Sequence, residues 1–301
     1  MNEILATEIE CTGKVHLIID ISILENRDLK KEVIYCFFKE ENEFKEINFS
    51  NVESLFLNNR SQKDYSRANY SGLFKLFPNV SKLGIVNVNN FEDVTFFYEF
   101  SKVRSLNLYF EPTQSFDFTK FPYLEEVSLF YTKKFESIFL INDIEKLSIV
   151  NYRGKSFEAF TKLRKLKELV IRQSSVKNLD GIEYIKNIKT LEISHNRVID
   201  NIEALKDNLT LKTITISSCP KLNNIELLGS IINLEVLVLE NIKEMDNLNF
   251  LTKLTKLKSF RLVGKTNIID GNLKWLLTKK NLTELFIPIK SHYDITIKDL
   301  K

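Results

Sequence analysis

Three histidines and three cysteines are the residues of this chain best suited to acid-base, nucleophilic or metal chemistry. The histidines are His16, His195 and His292, and none lies in a metal-ligand motif such as HExxH. The cysteines are Cys11, Cys36 and Cys219, too far apart for a CxxC site and odd in number, which favours a reducing compartment. Glu192 precedes His195 by three residues, but this spacing supplies no nucleophile or acid partner. We therefore predict no catalytic residues and no metal ion.

Composition and charge narrow the function classes further. The eight glycines form no phosphate-binding loop, and Gly13-Lys14 lacks the surrounding P-loop residues, so we expect no cofactor. The chain is 44% hydrophobic and 28% charged, with a net charge of +3 and scattered basic residues, which predicts no nucleic-acid partner. No apolar run reaches the roughly 18 residues of a membrane span, and MNEILATEIEC does not resemble a signal peptide. These features, with many Asn, Ile and Lys residues, predict a cytoplasmic bacterial protein without a membrane partner.

An internal repeat organises most of the chain. The pattern apolar-x-x-apolar-x-apolar occurs eleven times, as VESLFL, VSKLGI, VRSLNL, LEEVSL, IEKLSI, LKELVI, IKTLEI, LKTITI, LEVLVL, LKSFRL and LTELFI. The fourth positions of the first and last copies, Leu55 and Leu285, are 230 residues and ten intervals apart, a mean period of 23. Alternation at the end of each copy predicts a short strand. The apolar spacing of three that follows predicts a 3-10 helix.

This repeat resembles the leucine-rich repeat, in the class with units of about 22 residues found in bacterial internalins and in a protein phosphatase 1 regulatory subunit. The resemblance implies an α/β solenoid, a horseshoe or arc with a parallel concave sheet and short helices or 3-10 turns on the convex side. It assigns residues 51–290 to about eleven units. The buried asparagine of the family is matched plainly only by Asn196, so we expect the turns after the strands to be less regular than in typical members of the family. Equivalent positions hold Arg60, Val88, Glu111, Thr132, Tyr152, Ser174, Cys219, Ile242, Lys265 and Lys290.

The ends of the chain do not follow the period, and a solenoid needs caps. Residues 1–50 contain the strand-like segments KVHLIIDISI, EVIYCFF and FKEINFS, which predict a β-rich hairpin cap. A small separate domain is the alternative. Residues 291–301, SHYDITIKDLK, predict a final cap strand, and Trp275 is expected to pack in this cap.

Side chains that alternate with the buried positions must point out of the concave face. The outward residues of the N-terminal half are predicted to be Phe56, Tyr109, Phe110, Phe130, Tyr131 and Tyr152. Those of the C-terminal half are predicted to be Arg172, Glu192, His195, Glu240 and Arg261. Exposed aromatic residues on neighbouring units indicate an interaction site. For the aromatic residues, the alternative is that positions beyond the strand turn inward, where Phe110 and Tyr131 fill the space of the missing asparagines. For the charged residues, the alternative is a solvated face without a specific ligand.

These features predict a non-catalytic scaffold that binds a protein partner on the concave sheet. An immunity or antitoxin protein that masks a toxin domain, and a regulatory or substrate-recognition subunit of a separate enzyme, are alternatives; a secreted adhesin is less favoured. The basic runs KLRKLK at 162–167 and KLTKLKS at 253–259 are placed on the outer helical side, where they would serve solubility. The identity of the partner and the oligomeric state do not follow from the sequence.

Overall fold

The computed structural model describes residues 15–20, 52–58, 75, 77–86, 90–91 and 93–300. The chain divides into two compact units, Met1–Ile144 (unit 1) and Glu145–Lys301 (unit 2), and each is described by itself. The strands described in unit 1 are β1 (Val15–Asp20), β2 (Val52–Asn58), β3 (Lys82–Val86), β4 (Asn90–Phe91), β5 (Ser105–Leu108), β6 (Glu111–Pro112) and β7 (Glu126–Phe130). β1, β2, β3, β5 and β7 pair in this order as parallel neighbours, and β4 pairs with β6. The 3-10 helices are Thr95–Glu99, Phe118–Lys120 and Lys133–Leu140.

Unit 2 repeats the same arrangement more regularly. Its described strands are β8 (Lys146–Val150), β9 (Glu168–Arg172), β10 (Thr190–Ser194), β11 (Thr213–Ser217), β12 (Val236–Glu240), β13 (Ser259–Val263) and β14 (Glu284–Phe286). Consecutive strands pair in parallel throughout. The intervening 3-10 helices are Glu158–Lys162, Ile182–Tyr184, Glu203–Leu205, Ile225–Ser230, Asn249–Lys253 and Lys274–Thr278, and Ile297–Leu300 follows the last strand.

The predicted repeat is confirmed. Each of the eleven fourth positions lies in a strand, and all are buried except Leu285, which is half-buried. The pairing keeps these positions in register, as in Leu191 opposite Leu169 and Ile214. Because strand side chains alternate, the residues between them lie on the other side of the sheet, which we call the open face. The apolar spacing of three becomes 3-10 helix, as expected for side chains that repeat every third residue.

Aromatic side chains fill the core of unit 1. The ring of Phe116 is about 1% exposed, and its centroid lies 5.4 Å from that of Phe97, 4.8 Å from that of Phe118 and 5.7 Å from that of Phe135. Phe121 stacks on the same ring at 5.8 Å. Phenyl rings therefore occupy much of the space that Leu and Ile fill in unit 2.

The turns after the strands of unit 2 share one feature of backbone conformation. Two residues beyond the last buried strand position, the backbone is left-handed in successive repeats, at Asn151, Gln173, His195, Ser218, Asn241 and Gly264. In the first five of these residues the backbone N–H donates to a carbonyl of the next repeat, for example His195 to Ser217 at 2.9 Å. The side chain that follows each of these five enters the core, as Asn196 does, whereas Lys265 after Gly264 is exposed. This backbone ladder keeps the turns uniform where the asparagine is replaced.

The structure describes part of each predicted cap. The first predicted strand forms as β1, which pairs parallel with β2 and extends the repeat sheet. EVIYCFF and FKEINFS lie outside the described residues. The predicted strand over 291–301 is wrong for its described part, residues 291–300, which are turns and a 3-10 helix. Tyr293 and Ile295 are buried there, and the hydroxyl of Tyr293 accepts the N–H of Ile268 at 3.1 Å. Side-chain packing thus covers this end without a further strand.

Candidate functional site

Phe56 begins an apolar surface on the open face of unit 1. It lies on β2 directly opposite Gly84 of β3, and it is half-buried. A Cβ atom added to Gly84 would lie 2.4 Å from Cδ1 of Phe56, so only glycine leaves room for the ring at this place. The ring of Phe56 is therefore held against the backbone of the neighbouring strand.

Tyr109 and Phe130 continue this surface on the next two strands. The register pairs Ile85 with Leu108 and Leu108 with Leu129, so Val86, Tyr109 and Phe130 follow one another across the sheet. Val86 and Tyr109 are half-buried, and Phe130 is 39% exposed. We call Phe56, Val86, Tyr109 and Phe130 the aromatic strip. Val86 and Gly84 were not among the predicted residues, and the register places them beside the predicted aromatic residues.

Three of the predicted outward aromatic residues are in the core instead. Phe110, Tyr131 and Tyr152 are 3%, 9% and 4% exposed, so their predicted outward direction is wrong. Phe110 packs 5.8 Å from Phe97. The hydroxyl of Tyr152 donates to the carbonyl of Ser156 at 2.9 Å. The physical reason is that the chain turns inward just after the strand, where these rings take the volume of the absent asparagines.

Burial of Tyr131 changes its acidity as well as its position. Desolvation raises the pKa of its phenol above the ordinary value, and the nearby carboxylate of Glu136 acts in the same direction. The hydroxyl therefore stays neutral at physiological pH, and the side chain acts as core packing beside Phe139, with ring centroids 6.3 Å apart.

The predicted charged residues of unit 2 pair within the open face. Arg172 binds Glu192 at 2.9 Å on the adjacent strand, and Glu240 accepts the hydroxyl of Ser217 at 2.8 Å. Arg261 lies 3.7 Å from Glu284 and 5.7 Å from the ring centre of Phe286. The predicted set thus lies on the expected face with its charges largely matched to neighbours.

His195 is exposed and does not form an acid-base pair with Glu192. It adopts a left-handed φ of 53° at the turn after β10. The carboxylate of Glu192 instead accepts hydrogen bonds from Arg172 at 2.9 Å and Ser194 at 3.4 Å. The sequence spacing of these two residues therefore does not become a catalytic contact.

Glu235 lies between two lysines where the strands of unit 2 begin. Its carboxylate oxygens are 2.8 Å from Nζ of Lys212 and 2.5 Å from Nζ of Lys258. The hydrogen bonds from Lys212 and Lys258 lower the pKa of Glu235 from its ordinary 4.5 to about 2. The bridge joins three consecutive repeats through their side chains.

We expect Glu235→Gln to lower the urea midpoint of unfolding near neutral pH, because it removes the charge that both lysines face. A carboxyl whose folded pKa is depressed stabilises the protein above its unfolded pKa and loses this effect as pH falls toward about 2. The difference between the variant and the parent protein should therefore shrink between pH 4.5 and about pH 2. A difference that stays constant over this range would argue against the bridge.

A cavity of about 480 Å³ lies between two turns of unit 2 that follow β11 and β12. Asn223, Glu226, Lys243, Asp246 and Phe250 are among its lining residues. Within the described part of the chain, no group of three His, Cys, Asp or Glu side chains is placed to hold a metal ion. No described helix has both the length and the apolar character needed to cross a bilayer.

The repeats and the parallel sheet of each unit have the leucine-rich-repeat fold. Among solved structures, the chain is similar to an internalin of Listeria monocytogenes, at 17% identity over 79% of this chain and 73% of that one, with a TM-score of 0.54. It is also similar to a chain of the Toll–Spätzle complex of Drosophila, at 14% identity, 79% and 33% coverage and a TM-score of 0.55. A chain of the TLR13–ssRNA13 complex matches at 14% identity, 85% and 43% coverage and a TM-score of 0.51. The chain thus spans less than half of each of the last two. No protein-family model matches the sequence, and no curated protein does.

Proposed function

We propose that this protein is a non-catalytic scaffold that binds a protein partner through the aromatic strip of unit 1. The observation that carries the proposal is the exposure of Phe130 next to the half-buried Tyr109 at the ends of adjacent strands, with the half-buried Phe56 on the same open face. Contiguous apolar surface is rare outside interaction sites, and aromatic residues are enriched in the cores of protein interfaces. The strip therefore has the chemistry of an interface core.

The strip is also preorganised, which favours affinity. Its residues lie on or just beyond paired strands, and the backbone N–H of Tyr109 donates to the carbonyl of Ile85 at 3.0 Å. Gly84 leaves room for the ring of Phe56 against β3. Binding then costs little backbone entropy, since the strands that carry these residues are already paired.

The charged residues on the open face of unit 2 are outside the proposed site. Arg172 and Glu192 already bind each other, and Arg261 contacts Glu284 and Phe286. A partner would have to displace these contacts or leave them unchanged, and in either case these residues add little to the free energy of binding. We therefore assign the main affinity to the aromatic strip.

One structural relative supports a binding role. The Toll–Spätzle complex, a molecular hub in Drosophila development and innate immunity, contains a chain with a similar fold.

The cysteines bear on where the interaction takes place. The three widely spaced cysteines suit a reducing compartment, and Cys219 is buried with a free thiol. We accordingly place the proposed interaction in the cytoplasm, which fractionation of the native cells would test.

The test uses the full chain, immobilised and exposed to a lysate of its own organism. We expect one stoichiometric partner whose affinity falls at least about 30-fold in the Tyr109→Ala/Phe130→Ala variant, since central aromatic residues often contribute about 2 kcal/mol or more. Tyr123→Ala is the matched control, because Tyr123 is 58% exposed in the same unit but outside the strip. Equal retention by the double variant and the control would refute the proposed site.

A further inference from the structure

The turns that lead into β9 to β14 form one edge of unit 2, which we call the strand-start rim. These turns comprise residues 161–167, 184–189, 206–212, 230–235, 252–258 and 278–283. They contain thirteen Lys and Arg residues and two acidic residues, Asp207 and Glu235. The segments that follow the strands, 151–160, 173–183, 195–205, 218–229, 241–251 and 264–277, contain eight basic and nine acidic residues. The positive charge of unit 2 is therefore concentrated on one edge.

The backbone keeps this edge continuous from repeat to repeat. The N–H groups of Lys189 and Thr190 both donate to the carbonyl of Lys167, at 2.8 and 3.0 Å. The same paired donation recurs at each later strand start, up to Thr283 and Glu284 on the carbonyl of Lys258. The turns are thus stacked in register, and their exposed residues form a row.

One residue at the outermost point of each turn, which we call the turn tip, lies in a row with apolar residues at its centre and basic residues towards its ends. Its members, one per repeat and all exposed, are Arg164, Lys186, Leu209, Ile232, Thr255 and Lys280. Leu209 and Ile232 are 63% and 50% exposed at the centre of the row. Basic residues lie on both sides of this aliphatic pair.

Asparagine side chains fix the tips. Nδ2 of Asn187, Asn233 and Asn281 donates to the carbonyl of the tip residue in the preceding repeat, at 2.7, 2.8 and 2.7 Å respectively. The carbonyl at the apolar position Leu209 is one of these three acceptors. Leu209 is therefore presented to solvent by an ordered turn.

We propose that the strand-start rim binds the surface of a bilayer that contains anionic phospholipids. Lysine and arginine side chains are attracted to anionic headgroups, and aliphatic side chains between them enter the boundary of headgroups and acyl chains. Leu209 and Ile232 supply this apolar contact, and Arg164, Lys186 and Lys280 flank it with positive charge. The protein would then be a peripheral membrane protein that contacts the bilayer through unit 2.

A nucleic acid fits the same charge less well. Single strands are bound by aromatic side chains on which bases stack, together with backbone phosphate contacts. Here the central residues of the tip row are aliphatic, and a phosphate placed against them would lose hydration without gaining a hydrogen bond. The aliphatic pair thus favours a lipid surface.

This proposal departs from the sequence expectation that named no membrane partner and assigned the lysines to solubility. That expectation placed the basic runs on the outer helical side of the units. The structure places much of 162–167 and 253–258 in the turns just before β9 and β13, where they meet equivalent turns of the other repeats. The spacing of basic residues within one repeat does not show that the turns of successive repeats form one edge.

The test measures cosedimentation of the full chain with vesicles of phosphatidylcholine alone and of phosphatidylcholine with about 30% phosphatidylserine. We expect at least tenfold tighter binding to the anionic vesicles, with weakening as salt rises. Leu209→Ser/Ile232→Ser and Arg164→Glu/Lys186→Glu should each lower the affinity at least tenfold. Circular dichroism and the melting temperature verify that both variants fold, which exposed positions should allow.

Matched controls use residues of the same type away from the rim. Ile269→Ser/Ile297→Ser removes aliphatic side chains that are 51% and 71% exposed, and Lys177→Glu/Lys221→Glu reverses two charges after the strands. Both control variants should bind anionic vesicles as tightly as the parent protein does. The Tyr109→Ala/Phe130→Ala variant should do so as well, which keeps this test separate from the test of the proposed partner site. The proposal would be overturned if the protein did not bind vesicles, or if it bound both vesicle types equally. It would also be overturned if the protein bound an oligonucleotide more tightly than vesicles and the Leu209→Ser/Ile232→Ser change did not affect that binding.

Discussion

Phe116→Ala should destabilise unit 1 by about 3–5 kcal/mol, the largest stability loss that we expect from a single substitution in this protein. The ring is about 1% exposed and lies among five other rings, those of Phe97, Tyr98, Phe118, Phe121 and Phe135. Removing it creates a cavity at the centre of the cluster, because neighbouring rings fixed by 3-10 helices and strands cannot collapse into the space. The edge-to-face and stacked ring contacts are lost as well.

Urea unfolding followed by far-ultraviolet circular dichroism measures this loss, and hydrogen exchange locates it. Backbone amides over 94–140 should exchange faster in the variant. Phe116→Leu should lose less than Phe116→Ala, since it keeps part of the buried volume. Tyr123→Ala, in a turn of the same unit with 58% exposure, should change stability by no more than about 0.5 kcal/mol. Equal effects of Phe116→Ala and Tyr123→Ala would show that the aromatic cluster is not a packed core.

The repeat itself was predictable because burial imposes a simple spacing. In LEISHN, Leu191 and Ile193 are buried on β10 while Glu192 between them lies on the open face. The same alternation occurs in most of the eleven copies, with Leu285 half-buried in the last and Gly84 buried in the second, so strand positions and register follow from the hydrophobic pattern. The spacing of three likewise identified the 3-10 segments.

The direction of the chain after each strand was less predictable, since it depends on backbone conformation rather than on hydrophobic pattern. In unit 2 a left-handed residue such as Asn151 precedes the inward side chain. In unit 1 Phe110 and Tyr131 occupy the corresponding position and are themselves buried. A left-handed φ is unfavourable for bulky side chains, so an aromatic residue at this position is a usable signal that the chain turns inward one residue earlier.

The two candidate surfaces also differ in how far the sequence reveals them. Tyr109 and Phe130 were found by alternation within single strands, and the structure places them side by side. Leu209 and Ile232 belong to different repeats with no local pattern that marks them as exposed. Their pairing appears only when the turns are stacked by the backbone bonds of the strand-start rim.

Asn196→Ala should have the second large effect on stability. Asn196 is fully buried, its Nδ2 donates to the carbonyl of Val176 at 3.2 Å, and its Oδ1 accepts the N–H groups of Val198 and Ile199 at 3.1 Å each. The substitution leaves these backbone groups without their partner inside the protein. Because a buried group without a hydrogen bond costs about 1–3 kcal/mol, we expect a total loss of about 2–4 kcal/mol.

The neighbouring repeat suggests a partial rescue that separates hydrogen bonding from side-chain volume. Ser174 occupies the equivalent position, and its hydroxyl accepts the N–H of Val176 at 3.1 Å. Asn196→Ser should therefore recover part of the loss, although serine is only slightly larger than alanine. Asn223→Ala, at an exposed position, is the control and should remain within about 0.5 kcal/mol of the parent protein in urea unfolding. If Asn196→Ser and Asn196→Ala were equally unstable, the acceptor bonds of this side chain would not be the source of the stabilisation, and the backbone ladder through His195 would have to hold the turn by itself.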